Sequence, residues 1–187
     1  DLPEAPDLAM FVLPARFLLK VFDEFGQIGT RYAIVITAGF KEAGEAGVAL
    51  ESELNALAKK YHIRFVGPNC MGIVNRDINL NTSVTPITGP PGPLGLISQS
   101  GTYVAQTVDY LKKRGIRLGK AVSLGNEADV NIIDALEYMG EDENTTAIAM
   151  YIETVRDVRR FLSVARNITP HKPVIAQYIG GSEAGGR

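Results

Sequence analysis

Leu94-Gly95-Leu96-Ile97-Ser98-Gln99-Ser100-Gly101-Thr102 is a short apolar run that passes through small residues straight into a stretch of helical period. A buried strand handing over to a helix in so few residues is the repeating unit of a parallel sheet, because parallel neighbours need a crossover. The junction also gathers the chemistry of an anion site. Free N–H groups of the first helical turn, the positive end of the helix dipole and the hydroxyls of Ser98, Ser100 and Thr102 can converge on a phosphate. Glycine at position 101 permits close approach. An ordinary turn in which a serine caps the helix explains the same letters, and local grammar leaves both readings open.

Outward from this junction the same alternation fills the chain. Apolar runs at Leu8 to Leu13, Tyr32 to Thr37, Arg64 to Val66, Ala121 to Leu124, Ala147 to Ile152 and Val174 to Tyr178 read as further strands, expected to be buried. Between them, apolar residues recur at helical spacing, as in Phe17, Val21, Phe25 and in Leu50, Leu54, Leu57, Tyr61. Val104, Val108, Leu111, then Ile132, Leu136, Met139, then Val158, Phe161, Leu162, Ala165 continue the pattern. The fold class is α/β with parallel sheets. Thr85 to Pro93 carries four prolines in nine residues, so it can continue neither a helix nor a central strand. A domain boundary is placed there, giving units 1–88 and 89–187, with the polar segment Asn75 to Ser83 expected to wrap over the first unit before crossing.

Totals exclude several classes. At 187 residues, 45% hydrophobic and 21% charged, the chain can bury a core and is not expected to be disordered. A net charge of −2 from interspersed acids and bases offers no broad attraction to nucleic acid or an anionic membrane, so any anion is bound locally. Cys70 is the sole cysteine and cannot form an internal disulfide, no signal segment opens the chain, and no apolar run reaches a membrane span. A cytoplasmic location is expected.

Other loops at strand ends are candidates for a cleft, since open parallel sheets bind ligands at the carboxyl edge. Gly67-Pro68-Asn69-Cys70-Met71-Gly72 offers a fixed loop, the donor and acceptor of Asn69 and the sulfur of Cys70, although a small buried hydrophobe is the commoner role for a free cysteine. Thr37-Ala38-Gly39-Phe40 ends one strand, and Pro14-Ala15 ends another with a proline suited to a helix start. Glu153 closes an apolar strand, where a carboxylate must find a partner if buried; it orients a catalytic group or caps the next helix. Gly125-Asn126-Glu127-Ala128-Asp129 reads as a capping turn with Asp129 as the cap, touching the site. His62 and His171 read as solvated loop residues, and no spacing suggests a metal site or a Ser-His-acid set.

Five motifs, in order, resemble the ADP-forming acyl-CoA (acetyl-CoA) synthetases, which are similar to the succinyl-CoA synthetase α subunit. They are Ile36-Thr37-Ala38-Gly39-Phe40-Lys41-Glu42, Val66-Gly67-Pro68-Asn69-Cys70-Met71-Gly72, Ser98-Gln99-Ser100-Gly101, Ser123-Leu124-Gly125-Asn126 and Ser182-Glu183-Ala184-Gly185. The resemblance implies a truncated Rossmann-like CoA-binding domain followed by a flavodoxin-like ligase domain. It implies the reaction acyl-CoA plus phosphate plus NDP giving acid, CoA and NTP, through an acyl phosphate and a phosphorylated histidine. It assigns Pro14, Thr37, Ala38, Gly39, Asn69 and Cys70 to the CoA and thioester region, Ser100, Gly101 and Thr102 to the phosphate, and Glu153 to the acid beside the histidine. It further implies CoA and phosphate as ligands, ADP or ATP with magnesium only through an ATP-grasp partner domain or β subunit, and an oligomer.

The pattern departs from the family in two places. Family members begin with a further strand and glycine-containing loop that contact CoA, which this sequence lacks. The phosphorylated histidine follows the Ser-Glu-Ala-Gly loop, and no residue here matches it. Both ends are therefore expected to be cut, and the sequence alone is expected to be inactive. The rivals are an acyl-CoA-binding regulatory module of a synthetase-like or acyltransferase protein, and a nicotinamide-dependent oxidoreductase, whose Gly-x-Gly-x-x-Gly signature is missing.

Overall fold

The computed structural model describes residues 2–83 and 85–179. The Ser182–Gly185 motif and the glycine-rich end lie outside them. The first layer is a three-stranded parallel sheet, β1 (Leu8–Phe11), β2 (Tyr32–Val35) and β3 (Arg64–Val66), in sequential order. Helices α1 (Ala15–Gln27) and α2 (Glu45–Tyr61) bury the face carrying Ala9, Phe11, Ala33, Val35 and Phe65. Phe22 anchors this core, its ring 5.3 Å from Phe11 and 6.0 Å from Phe65. The buried stripe of α1 is Leu18, Phe22 and Gly26, one residue along from the expected Phe17, Val21 and Phe25. The shift follows from close packing: a Cβ at Gly26 would lie 2.2 Å from the Tyr61 ring, so that helical face alone can seat α2.

The second sheet has six strands in the order β5-β4-β7-β6-β8-β9. Its members are β4 (Gly72–Asn75), β5 (Leu80–Asn81), β6 (Leu94–Ser98), β7 (Leu118–Ser123), β8 (Ala147–Ile152) and β9 (Val174–Tyr178). Helix α3 (Gly101–Lys113) covers one face through Val104 and Val108. On the other, α4 (Ile132–Glu141) and α5 (Val158–Ile168) build the larger core around Ile97, Leu124, Leu136 and Met150. In α5 the buried residues are Val164 and Ile168, while the expected Val158 and Leu162 are exposed.

All seven expected strands form, but burial on both faces holds only for inner ones. Met10 is 50% exposed on β1 and Ile175 69% exposed on β9, because each is the outermost strand of its sheet. The larger correction concerns the segment Asn75 to Ser83. It does not wrap over the first unit but continues the second sheet: β4 runs antiparallel to β7, pairing Gly72 with Ser123 and Val74 with Ala121, and β5 adds beyond it. The sheets thus divide between Val66 and Gly72, ahead of the proline-rich segment. A buried charge explains the attachment. Lys120 on β7 has a side chain only 4% exposed, and its ammonium is paired with Asp142 at 2.8 Å and with Asp77 in the 3-10 turn that joins β4 to β5. Leaving that lysine without Asp77 would strand part of its charge in the interior.

The two layers are stitched by main chain. Asn126 N–H donates to Pro68 O at 2.9 Å, Ala128 N–H to Gly67 O at 3.0 Å and Val130 N–H to Phe65 O at 3.1 Å. Asp129 belongs to this seam and not to a helix cap: its carboxylate accepts from Arg64 Nε at 2.9 Å and Phe65 N–H at 2.8 Å. Helix α4 is capped by Asn131, in a reciprocal box with Asp134. Gly125 sits at φ +58°, and a Cβ there would fall 2.2 Å from Pro68 O and 2.4 Å from Asn69 O. Replacing Gly125 with alanine is expected to cost at least ~2 kcal/mol, from the left-handed backbone together with the clash at the seam. Urea unfolding of the purified chain checks this; an unchanged midpoint would show that the seam is loose.

Candidate functional site

From β6 the chain crosses through α3 to β7 on one side; β8 lies on the other side of β6. Such a reversal opens a crevice at the carboxyl ends of the strands. Here the crevice is a cleft of about 530 Å³, walled by residues 69–71, 99–102, 125–127, 153–154 and 156, with Lys41 and Glu42 reaching in from the first layer. The fold therefore brings six expected residues, Asn69, Cys70, Ser100, Gly101, Thr102 and Glu153, to one cavity. Pro14, Thr37, Ala38 and Gly39 are not on its lining. They form a separate rim at the carboxyl ends of β1 and β2.

At the start of α3, Ser98 is fully buried, and its hydroxyl donates to Ser100 O at 2.7 Å while accepting from Ser100 N–H at 3.1 Å. It is consumed inside the turn and cannot reach a ligand. Ser100 caps the helix, its Oγ accepting from Tyr103 N–H at 3.4 Å, and it also faces the cleft, so the two readings of this junction coexist. The N–H groups of Gly101 and Thr102, earlier in that turn, have no intrahelical acceptor and lie at the positive end of the helix. Met71 packs directly onto this opening: a Cβ at Gly101 would lie 2.3 Å from Met71 Cγ.

Gln99 was not singled out from the sequence, yet its amide is fully used. Its Oε1 accepts from Glu153 N–H at 2.5 Å and Thr154 N–H at 3.0 Å, and its Nε2 donates to Thr154 O and Glu127 Oε2, both at 2.8 Å. An amide buried directly after a buried strand must find such partners, which is the signal that could have revealed it. Glu127, 2% exposed, also accepts from Ile132 N–H at 2.7 Å. Burial pushes its pKa up, against the opposing pull of these donors and of the nearby Arg156 and Lys41 charges. Glu153 is exposed, so its carboxylate needs no buried partner, because the strand ends one residue before it. It caps nothing: α5 starts at Val158 behind Asp157, whose side chain accepts from Arg160 N–H. Gln99→Leu should cost about 2–3 kcal/mol by freeing the Glu153–Thr154 main chain and orphaning part of Glu127. Thermal and denaturant unfolding measure it, and a loss under about 0.5 kcal/mol would deny the amide its role.

Asn126, 6% exposed, joins the cleft's two sides. Its Nδ2 donates to Glu42 Oε2 at 2.5 Å and Glu51 Oε2 at 2.8 Å, and its Oδ1 accepts from Asn69 Nδ2 at 3.4 Å. Its main-chain oxygen accepts from both Lys41 Nζ and, at 2.7 Å, Arg156 Nη2. For Glu42, burial opposes ionisation, but the Asn126 amide and the N–H groups of Gly39 and Phe40 outweigh it and hold the pKa below the ordinary carboxylate value.

On the rim, the Thr37 hydroxyl donates to Leu13 O at 2.9 Å and accepts from Leu13 N–H at 3.3 Å, tying β1 to β2. Asn69 adopts φ +57°, which aims its side chain into the cleft mouth, and its N–H donates to Thr37 O at 2.9 Å. Pro14 stands at the N-cap of α1, Ala38 is exposed, and Gly39 N–H donates to Glu42 Oε1 at 2.6 Å. Cys70 is buried, with Sγ donating to Val35 O at 3.3 Å, and desolvation pushes its thiol up to about 11. At neutral pH it is a protonated, buried side chain and no nucleophile. Thiolate absorbance of the folded chain should therefore rise with a midpoint near 11 and be absent in Cys70→Ala. A midpoint below about 8.5 would mark an activated cysteine.

His62 terminates α2 in a left-handed conformation and is exposed, and His171 is exposed in the turn before β9; neither touches the cleft. Among the described residues no helix is long and apolar enough to cross a membrane.

Comparison with known proteins agrees with this architecture. Residues 91–187 match the succinyl-CoA ligase like flavodoxin domain, and residues 1–76 match a CoA binding domain. The chain belongs to the succinyl-CoA-ligase-like flavodoxin domain family, with a CoA-binding domain ahead of it. It is 41% identical over its whole length to the α subunit of an ADP-forming acetate–CoA ligase I of Pyrococcus furiosus, covering 40% of that protein. It is 39% identical to the ADP-forming acetate–CoA ligase I of Archaeoglobus fulgidus, covering 27% of it. A structure of the dinucleotide forming acetyl-coenzyme A synthetase 1 of Ca. Korarchaeum cryptofilum, in complex with phosphate and ADP, superposes with a TM-score of 0.93 at 35% identity. It covers 99% of this chain and 40% of that one. The chain thus spans less than half the length of these relatives.

Proposed function

We propose that the chain is the thioester- and phosphate-handling part of an NDP-forming acyl-CoA synthetase. One observation carries the reading: the N-terminus of α3, the Asn69–Cys70 loop and Glu153 line a single cleft at the switch point of the sheet. The site fits a phosphate, since free main-chain N–H groups and a glycine stand where an anion is stabilised. In the reaction, an oxygen of hydrogen phosphate forms a bond to the thioester carbonyl carbon, the carbon–sulfur bond breaks, and the phosphate proton ends on the CoA thiol. Ser100, Gly101 and Thr102 hold the phosphate, while Pro14, Thr37, Ala38, Gly39, Asn69 and Cys70 surround the thioester arm. Glu153, exposed into the cleft and held by Gln99 through its main chain, orients the imidazole of an incoming histidine.

The two units, 1–88 and 89–187, then correspond to CoA handling and ligation, with β4 and β5 lent by the first to the sheet of the second. ATP binding, with ADP or ATP and magnesium, belongs to an ATP-grasp partner domain or β subunit, and the assembly is a cytoplasmic oligomer. Support comes from the family match and from relatives whose names carry the ADP-forming ligase activity. The test supplies the natural polypeptide that contains this chain, with its nucleotide-binding partner, with acyl-CoA, phosphate, magnesium and ADP. Acyl phosphate and ATP are expected, and Glu153→Gln should lower ATP formation by about 10² or more while acyl phosphate still forms. Binding of acyl-CoA without either product would replace the synthetase by the regulatory module.

A further inference from the structure

Lys41 and Arg156 come from opposite layers, one in the 3-10 turn after β2 and the other in the loop after β8, and meet at one main-chain oxygen, that of Asn126. Two cations sharing one neutral acceptor repel each other, and the carboxylates around them offset that repulsion. The hydrogen bonds of those carboxylates come from neutral donors, which leaves the donors of the cations themselves unspent. Glu42 is satisfied by the Asn126 amide and two main-chain N–H groups, and Glu127 by the Gln99 amide and Ile132 N–H, all neutral donors. Glu51 takes the Asn126 amide at 2.8 Å and stands off from Lys41 at 3.6 Å. Arg156 makes no ion pair within 4 Å among the described residues. Each cation has donors left over after the carbonyl is served, two of the three N–H on the ammonium and four of the five on the guanidinium, and both side chains line the cleft that holds the α3 opening.

We propose that Lys41 and Arg156 form a two-layer clamp for the phosphoryl group, gripping the oxygens that the N-terminus of α3 does not reach. This rests on the phosphate reading of the same cleft and adds two side chains to which neither the motifs nor the helix start assigned a role. Because the clamp needs one cation from each layer, it makes phosphate affinity depend on the seam through Asn126. A ligand held by both cations binds only the assembled seam, so ligand and seam stabilise each other.

Titration of the purified chain with inorganic phosphate by calorimetry, beside the phosphate KM of the natural polypeptide with its partner, tests the clamp. Lys41→Met and Arg156→Met should each weaken phosphate binding and raise that KM about tenfold or more, and the double variant should abolish the rise in melting temperature that phosphate gives the unmodified chain. Arg156→Lys should recover part of the affinity, since charge returns without the guanidinium fork. Phosphate affinity and KM unchanged in folded variants would overturn the clamp while leaving the synthetase intact. Loss of phosphate binding in the variants, with no acyl phosphate made by the unaltered polypeptide, would keep the clamp and sink the synthetase. Should Lys41→Met fail to fold, Lys41→Gln decides on the same titration, and failure of the unmodified chain to bind phosphate would end the proposal.

Discussion

Asn126 is the hinge pin of this molecule. Its buried amide bridges Glu42 and Glu51 of the first layer, its side-chain oxygen meets Asn69, and its main-chain oxygen draws in a cation from each side. Were it replaced by an apolar side chain, the exposed Glu42 and the buried Glu51 would each lose a donor, and for the buried carboxylate an unmade hydrogen bond is costly. The residue can occupy that place only because Gly125 before it takes a left-handed turn with no side chain, so the carbonyls of Pro68 and Asn69 can press against it. A small set of main-chain contacts therefore fixes how the two sheets face each other, and the cleft lies along that contact.

The proposed anion site at this junction has an electrostatic logic. The start of α3 is presented by the second sheet, while Lys41 belongs to the first, and neither collects enough positive character alone to hold a dianion in competition with water. Bringing them together across the seam concentrates donors without giving either layer a strongly basic surface, consistent with a net charge of −2 for the chain. The carboxylates at the cleft are restrained by amides. Gln99 does this for Glu127 while also fixing the main chain of Glu153, so one neutral side chain sets the positions of two acids.

Much of the architecture was legible in the letters. The seven apolar runs became strands, the strand-to-helix junction at residues 94 to 102 formed as read, and the motif order pointed to the family before any fold was in hand. The misses share a cause. β4 and β5 lack a period of their own, since what holds them is Asp77 meeting a buried Lys120 more than 40 residues away in sequence. The apolar stripe of α1 was displaced by one residue because a glycine, invisible to hydropathy, marks the face on which α2 lies. Asp129 looked like a cap from its neighbours but serves the first sheet through Arg64 and Phe65.

By itself the sequence determined the class of the fold, the junction that presents main-chain donors, and the list of loops that could meet, because these depend on local period, turn chemistry and residue size. Tertiary structure decided which of those loops actually meet. It separated Pro14, Thr37, Ala38 and Gly39 from the cleft, left Glu153 exposed, consumed the Ser98 hydroxyl inside a turn and introduced Gln99, Lys41 and Arg156. The physical reason is that a side chain's hydrogen-bonding groups are committed by whichever partner the packed chain brings within about 3 Å, and that partner is set by strand order and by close approach at glycines, neither of which has a local signature.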